Sequence, residues 1–172
     1  MKQKKGQAEI IGLVIIVIMI TLGMLFFIRF ALDDTPEKKV FTRKGLAAST
    51  MNSIMNVEVY CGGENQYLSM PTLLKDCAKS HISGGQYNDY QCGFSINTCE
   101  YIKNEITFIL DNTLSSWNKD YLLTINVIDN NDEELLFEIS EGDCINTDRD
   151  SSRPFPIVSE SGLIESNLFL CG

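Results

Sequence analysis

Six cysteines carry the most distinctive chemistry in this chain, and all of them follow residue 60. An even number of cysteines in a segment of this size is typical of a disulfide framework formed in an oxidising compartment. Zinc binding is the alternative, but it favours closely spaced ligand pairs such as C-x2-C, and the nearest cysteines here are seven positions apart. The sequence therefore predicts three disulfides among Cys61, Cys77, Cys92, Cys99, Cys144 and Cys171.

The pairing of these cysteines is largely left open by their spacing. Cys144 and Cys171 are the only two in the part of the chain where the pattern predicts strands, which favours a bond between them. For the other four cysteines no pairing is favoured.

The remaining polar residues give little indication of catalysis or metal binding. His81 is the only histidine and falls in a predicted glycine-rich loop, and the chain has neither a G-x-S-x-G elbow nor an H-E-x-x-H motif. Acidic residues at 129–134 and 143–150 lack the glycine and glutamate positions of an EF-hand calcium loop, so they are interpreted as solvated turns. We predict that the protein is not an enzyme and has no catalytic residue, metal ligand or cofactor.

Residues 10–28 form an uncharged apolar run, which determines on which side of a membrane the rest of the chain lies. Nineteen helical residues extend about 28 Å, close to the hydrocarbon thickness of a bilayer. A cleaved secretory signal is the alternative, but its apolar run is usually shorter, and residues 30–34 offer no A-x-A cleavage site. The pattern favours a retained single-pass membrane anchor in contact with membrane lipids.

The orientation of this anchor follows from two opposing observations. Five lysine or arginine residues closely follow the span and three precede it, so a simple positive-inside count favours a cytoplasmic C-terminal domain. However, the three N-terminal charges lie within five residues of the start of the chain, and the cysteines require an oxidising space. We therefore predict a cytoplasmic N-terminus and an extracellular C-terminal domain at the cell membrane.

The residues after the span have the pattern of an α+β protein. Apolar residues at helical spacing predict an amphipathic helix over 36–57, a short helix over 69–79 and a longer helix over 99–117, with a loop over 80–98. Alternating residues then predict strands at 121–128, 135–139, 155–158 and 163–170, arranged as an antiparallel meander that the first of these helices covers.

Four segments follow from this pattern, namely a basic cytoplasmic leader and processing region, a transmembrane helix, a helical stalk and an extracytoplasmic head. Their predicted bounds are 1–9, 10–32, 33–58 and 59–172.

Residues 33–172 carry 10 lysines and arginines against 22 aspartates and glutamates, a net charge of −12. Such an acidic exterior repels phosphate backbones, so nucleic acid is excluded as a partner.

The first residues resemble the leader of a known family. Lys4-Lys5-Gly6-Gln7-Ala8-Glu9, followed at once by the apolar run, is similar to the class III signal peptide of archaeal type IV pilin-like proteins. The resemblance covers residues 2–32 closely, and the rest only in architecture. It implies that a prepilin-type peptidase cuts between Gly6 and Gln7.

The resemblance also implies a function, because such proteins are structural subunits or minor components of pilus-like filaments that self-assemble through the apolar helix. It implies that Glu9 contacts the N-terminal amine of a neighbouring subunit. However, Glu9 would be the third residue of the mature chain, whereas the family's acidic residue is the fifth. The alternative is a permanently anchored receptor or adhesin that forms no filament.

Overall fold

The chain forms two compact units, residues 1–39 and 40–172, which are described separately. A computed structural model describes residues 3–32, 36–61, 67–85, 89–90, 92, 97–129, 132–144 and 147–172. Within these, the side chains of residues 3–10, 30–32 and 36–38 lie outside the described part. The predicted α+β class is confirmed.

Helix α1 (Gln3–Leu32) contains the whole apolar run. Helix α2 (Pro36–Met55) begins at a proline, a residue that is well tolerated in the first helical turn because its missing N–H has no intrahelical partner there. The predicted helix over 36–57 is confirmed apart from its last two residues. Residues 33–35, where the sequence predicts a break between the two helices, lie outside the described residues.

Two further helices follow α2 in the second unit. Helix α3 (Met70–Ile82) extends three residues beyond its predicted end, so the predicted loop over 80–98 begins later than expected. Helix α4 (Thr98–Thr113) starts where the Asn97 side chain accepts a hydrogen bond from the Glu100 N–H at 2.8 Å, which satisfies one of the free N–H groups of the first turn. A 3-10 turn (Ser115–Trp117) continues α4 to its predicted end.

Within the residues that the structure describes, seven strands build two antiparallel sheets. The first sheet pairs β1 (Glu58–Tyr60) with β2 (Tyr67–Ser69). The second contains five strands, and its hydrogen-bonded order is β4-β3-β7-β5 with β6 also paired to β7. Their bounds are β3 (Asp120–Asp129), β4 (Asp132–Glu141), β5 (Arg149–Ser151), β6 (Phe155–Ser159) and β7 (Gly162–Cys171).

The predicted meander is wrong in its strand order, although all four predicted strands exist. A meander would place the strand after β4 beside β4, whereas β7 pairs along β3 from Asp120↔Cys171 to Ile128↔Leu163. The physical reason is that β3 is an interior strand, with β4 along one edge and β7 along the other. Its alternating buried residues match those of β7, while β4 begins with exposed acidic residues that suit a solvent edge.

One hydrophobic core joins the sheet to the helices of the second unit. The inner face of β3 and β7 is fully buried, and α3 packs against α4 and against β4, β6 and β7. Helix α2 adds Ala47, Met51, Ile54 and Met55 to the same core. The sequence predicts that the helix over 36–57 alone covers the sheet, whereas in the structure α2, α3 and α4 cover it together.

Candidate membrane anchor, disulfides and head surfaces

The apolar part of α1 is long enough to cross a membrane. Residues 11–29 have a mean hydropathy of 3.0, and none of them is buried. The large apolar side chains from Ile11 to Ile28 are between 48% and 80% exposed, and they point in every direction around the helix. A helix that is apolar all round needs an apolar environment, so this segment has the composition of a membrane span or of a signal sequence.

The predicted processing residues lie upstream of this span within α1. Gly6, Gln7 and Glu9 belong to the helical backbone that begins at Gln3. Their side chains lie outside the described part of the structure, so cleavage between Gly6 and Gln7 and the assembly contact of Glu9 stay predictions.

All six cysteines form disulfides, as predicted, so none provides a free thiolate for zinc. The bond between Cys144 and Cys171 is the one that the sequence favoured, and it joins the segment after β4 to the end of β7. Cys61 bonds to Cys92, and Cys77 to Cys99. Since Cys77 lies in α3 and Cys99 in α4, the last bond links two of the three helices that cover the sheet.

A buried carboxylate lies beside this helix–helix disulfide. Asp76 is 4% exposed; one of its oxygens accepts a hydrogen bond from the Asp89 N–H at 2.8 Å, and the other accepts one from the Thr98 hydroxyl at 2.6 Å. Asp76 directly precedes Cys77, and Thr98 directly precedes Cys99. Hydrogen bonds to a charged acceptor offset the cost of burying it, so Asp76 acts as a second link between α3 and α4.

The burial of Asp76 was not predicted, although its position in the sequence carries one signal of it. The residue lies between Leu74 and Cys77, among the apolar positions of a helix, where a solvated aspartate is not expected. Its partners are 13 and 22 residues away along the chain, beyond the range of local patterns.

His81 lies in the last turn of α3 and not in the predicted loop. Its Nε2 atom is 3.0 Å from Oε1 of Glu134 on strand β4, and both side chains are partly exposed. A histidine–carboxylate pair is one half of a nucleophilic relay, but such a relay also needs a hydroxyl or thiol on the histidine. Within the described part of the chain, no hydrogen bond joins His81 to a serine, threonine or cysteine side chain.

The acidic stretches do not form a cation site in the described residues. No group of three or more histidine, cysteine, aspartate or glutamate side chains is arranged there to hold a metal ion. Residues 130–131 and 145–146 of these stretches lie outside the described part.

A cleft of about 560 Å³ lies between α3 and the turn that joins β6 to β7. Its charged side chains have both signs, and Lys79 Nζ lies 2.7 Å from Oδ2 of Asp89. This hydrogen bond raises the pKa of Lys79 above its usual value. Lys79 is therefore already paired with a carboxylate of the same cleft.

A second groove, of about 460 Å³, lies between α2 and the segment that contains β5 and the start of β6. It combines cationic and apolar side chains without an acidic residue among those that line it. In a head of net negative charge, this is an unusual surface.

Comparisons with known proteins give no relative for this chain. No protein-family model, no curated protein and no solved structure matches it.

Proposed function

We propose that this chain is a membrane-anchored pilin-like protein whose head lies outside the cell. In this proposal it is a structural subunit or a minor component of an archaeal type IV pilus-like filament. Its N-terminal apolar helix leaves the bilayer and packs against copies of itself. Its role is structural, and no catalytic step is assigned to it.

The observation that carries this proposal is the uniform exposure of the apolar side chains in α1. A helix with no polar face can exchange lipid for other apolar helices without exposing a charge. Between Ile11 and Ile28 the large apolar side chains are at least 48% exposed, so their surface remains available to lipid or to neighbouring helices. The leader motif around Gly6 and Gln7 supports the pilin-like class independently of this surface.

The head supports the proposal through its own covalent framework. Three disulfides join segments separated by 22 to 31 residues, which suits a domain that folds in an oxidising space. Repeated packing of α1 in one direction generates an open filament, in which such heads form the outer surface.

The proposal is tested first by the mass of the mature protein. Processing predicts an N-terminus at Gln7, and Gly6→Val should abolish it, because the peptidase must approach the backbone closely at this residue. Gly12→Val is the matched control, since a Cβ at Gly12 meets no atom within 4 Å. A mature protein that retains Met1, or equal processing of both variants, would contradict the pilin-like leader.

Electron microscopy of the cell surface then separates the two functions. Filaments that contain this protein support the pilin role. A processed or unprocessed protein that remains singly in the membrane supports the alternative of an anchored receptor or adhesin.

A further inference from the structure

The groove between α2 and the start of β6 has a composition that suits a lipid surface. Lys44 lies on its helix wall and Arg153 on the opposite wall, and both side chains are exposed. Its floor is largely apolar and includes Ala48, Met51 and Pro154. Neither cation forms an ion pair within 4 Å in the described residues.

A buried ion pair holds the two walls of this groove together. Nε of Arg43 on α2 lies 2.9 Å from Oδ2 of Asp150 on β5, and their side chains are only 17% and 10% exposed. The N–H does not point at the oxygen, since neither atom has an aligned hydrogen bond among the described residues. The contact is therefore electrostatic. It places Lys44 and Arg153, which lie close in sequence to this pair, on facing sides of the groove.

Phe41 completes the surface. It also lines the groove and is 80% exposed, equal to the most exposed large apolar side chain of the apolar helix. It precedes Lys44 by three residues, so the two side chains lie on the same face of α2. An aromatic ring beside cations is typical of residues at the interface between a membrane and water.

The position of this surface in the chain distinguishes a bilayer from other anionic partners. Phe41 is only 12 residues after Arg29, the last residue of the membrane-length segment. Six of the ten basic residues after position 32 occur within 38–44 and 149–153, the two segments of the sequence that contain Lys44 and Arg153. By chain length alone, the short tether after Arg29 therefore allows this surface to reach the membrane.

We infer that this groove docks the head on the anionic phosphates of the bilayer, with Phe41 inserted at the interface and with Lys44 and Arg153 on the headgroups. This docking rests on the membrane anchoring proposed above, but not on filament formation. It gives the membrane-resident protein a defined head orientation before assembly, or permanently if no filament forms.

The test uses the full chain in lipid nanodiscs, which leave both bilayer faces accessible. Phe41→Trp in a Trp117→Phe background places a single fluorophore at the groove. Discs with about one third phosphatidylglycerol should shift its emission to the blue and allow quenching by headgroup-labelled lipid. Discs of phosphatidylcholine alone, or about 1 M NaCl, should largely abolish both effects, because salt reduces the Debye length to about 3 Å.

Charge reversal supplies the matched control. Lys44→Glu with Arg153→Glu should lower the ratio of docked to undocked heads by at least roughly 30-fold, since the loss of each cation near an anionic surface costs about five-fold and the two new carboxylates are repelled by it. Lys103→Glu with Lys119→Glu changes the net charge equally at exposed positions away from the groove and should leave the ratio within about two-fold.

Three results would overturn the inference. They are equal quenching in neutral and anionic discs, equal effects of the two charge reversals, and burial of the fluorophore that depends on protein concentration in lipid-free detergent. The last result would identify a second copy of the chain as the occupant. Flotation of the full chain with liposomes checks the anchoring separately, so loss of docking with intact flotation rejects this inference alone, whereas loss of flotation rejects both.

Discussion

Removing the disulfide between Cys144 and Cys171 should destabilise the head by about 3.5 kcal/mol. The two cysteines are 27 residues apart, and closing a loop of that length in the unfolded chain accounts for this free energy in the chain-entropy model. Both residues are at least 94% buried, so Cys144→Ala with Cys171→Ala avoids burying new hydroxyl groups. For a unit of 133 residues, residues 40–172, the corresponding fall in Tm is about 10–15 °C.

The measurement is thermal unfolding of the full chain in detergent, followed by circular dichroism of the strands. Cys77→Ala with Cys99→Ala is the comparison, because its separation of 22 residues gives nearly the same entropic loss of about 3.4 kcal/mol. A larger loss at that pair would report the packing of α3 on α4. The reasoning would be refuted by a loss below about 1 kcal/mol at Cys144 and Cys171, or by a non-reducing peptide map without their linked peptide.

Two further predictions concern the free energy of unfolding of the head, measured with urea. Gly162→Ala should destabilise it by about 2–3 kcal/mol, because Gly162 has φ +112° and a Cβ would lie 2.3 Å from the Ile128 carbonyl oxygen. Gly45→Ala, in open space on helix α2, should instead stabilise it by up to about 1 kcal/mol, and a similar loss in both variants would contradict this reasoning. Burial and a 2.9 Å hydrogen bond to Asp111 raise the pKa of Tyr121. Above about pH 10 the unfolded chain therefore loses the phenolic proton while the folded chain keeps it, and stability should fall by up to about 1.4 kcal/mol per pH unit. Tyr121→Phe should flatten this slope, and an unchanged slope would assign it to other groups.

The longer elements of the head could be predicted because their burial patterns repeat. Ile102, Ile106 and Leu110 recur every four residues along α4, and β3 alternates buried and half-buried residues over most of its length. Strands β1, β2 and β5 were missed because three residues do not establish a period. The position of β3 between β4 and β7 could not be predicted, because it depends on which distant strand has a matching buried face.

The candidate sites also differ in how far the sequence predicts them, because some depend on local residues and others on contacts between distant segments. Membrane length is a local property of the sequence, and the bond between Cys144 and Cys171 was favoured because they are the only two cysteines in the region of predicted strands. The leader motif is also local, and its processing stays a prediction. The groove was not predictable, because Lys44 and Arg153 are more than one hundred residues apart in the sequence. They line the same groove only in the folded protein. Asp76 was missed for the same reason, since its two partners come from later segments.

The two units differ in where their apolar residues lie: they are exposed in the first unit and form a buried core in the second. Among the residues whose side chains are described, every buried core residue lies at Ala47 or later, and all three disulfides lie after residue 60. The large apolar side chains of residues 11–28 are all exposed, so they contribute no buried residue to that core. A change in the surroundings of α1, from lipid to other helices, therefore leaves the core of the head intact. The proposed subunit role requires this independence, because in that proposal α1 leaves the bilayer while the head stays folded.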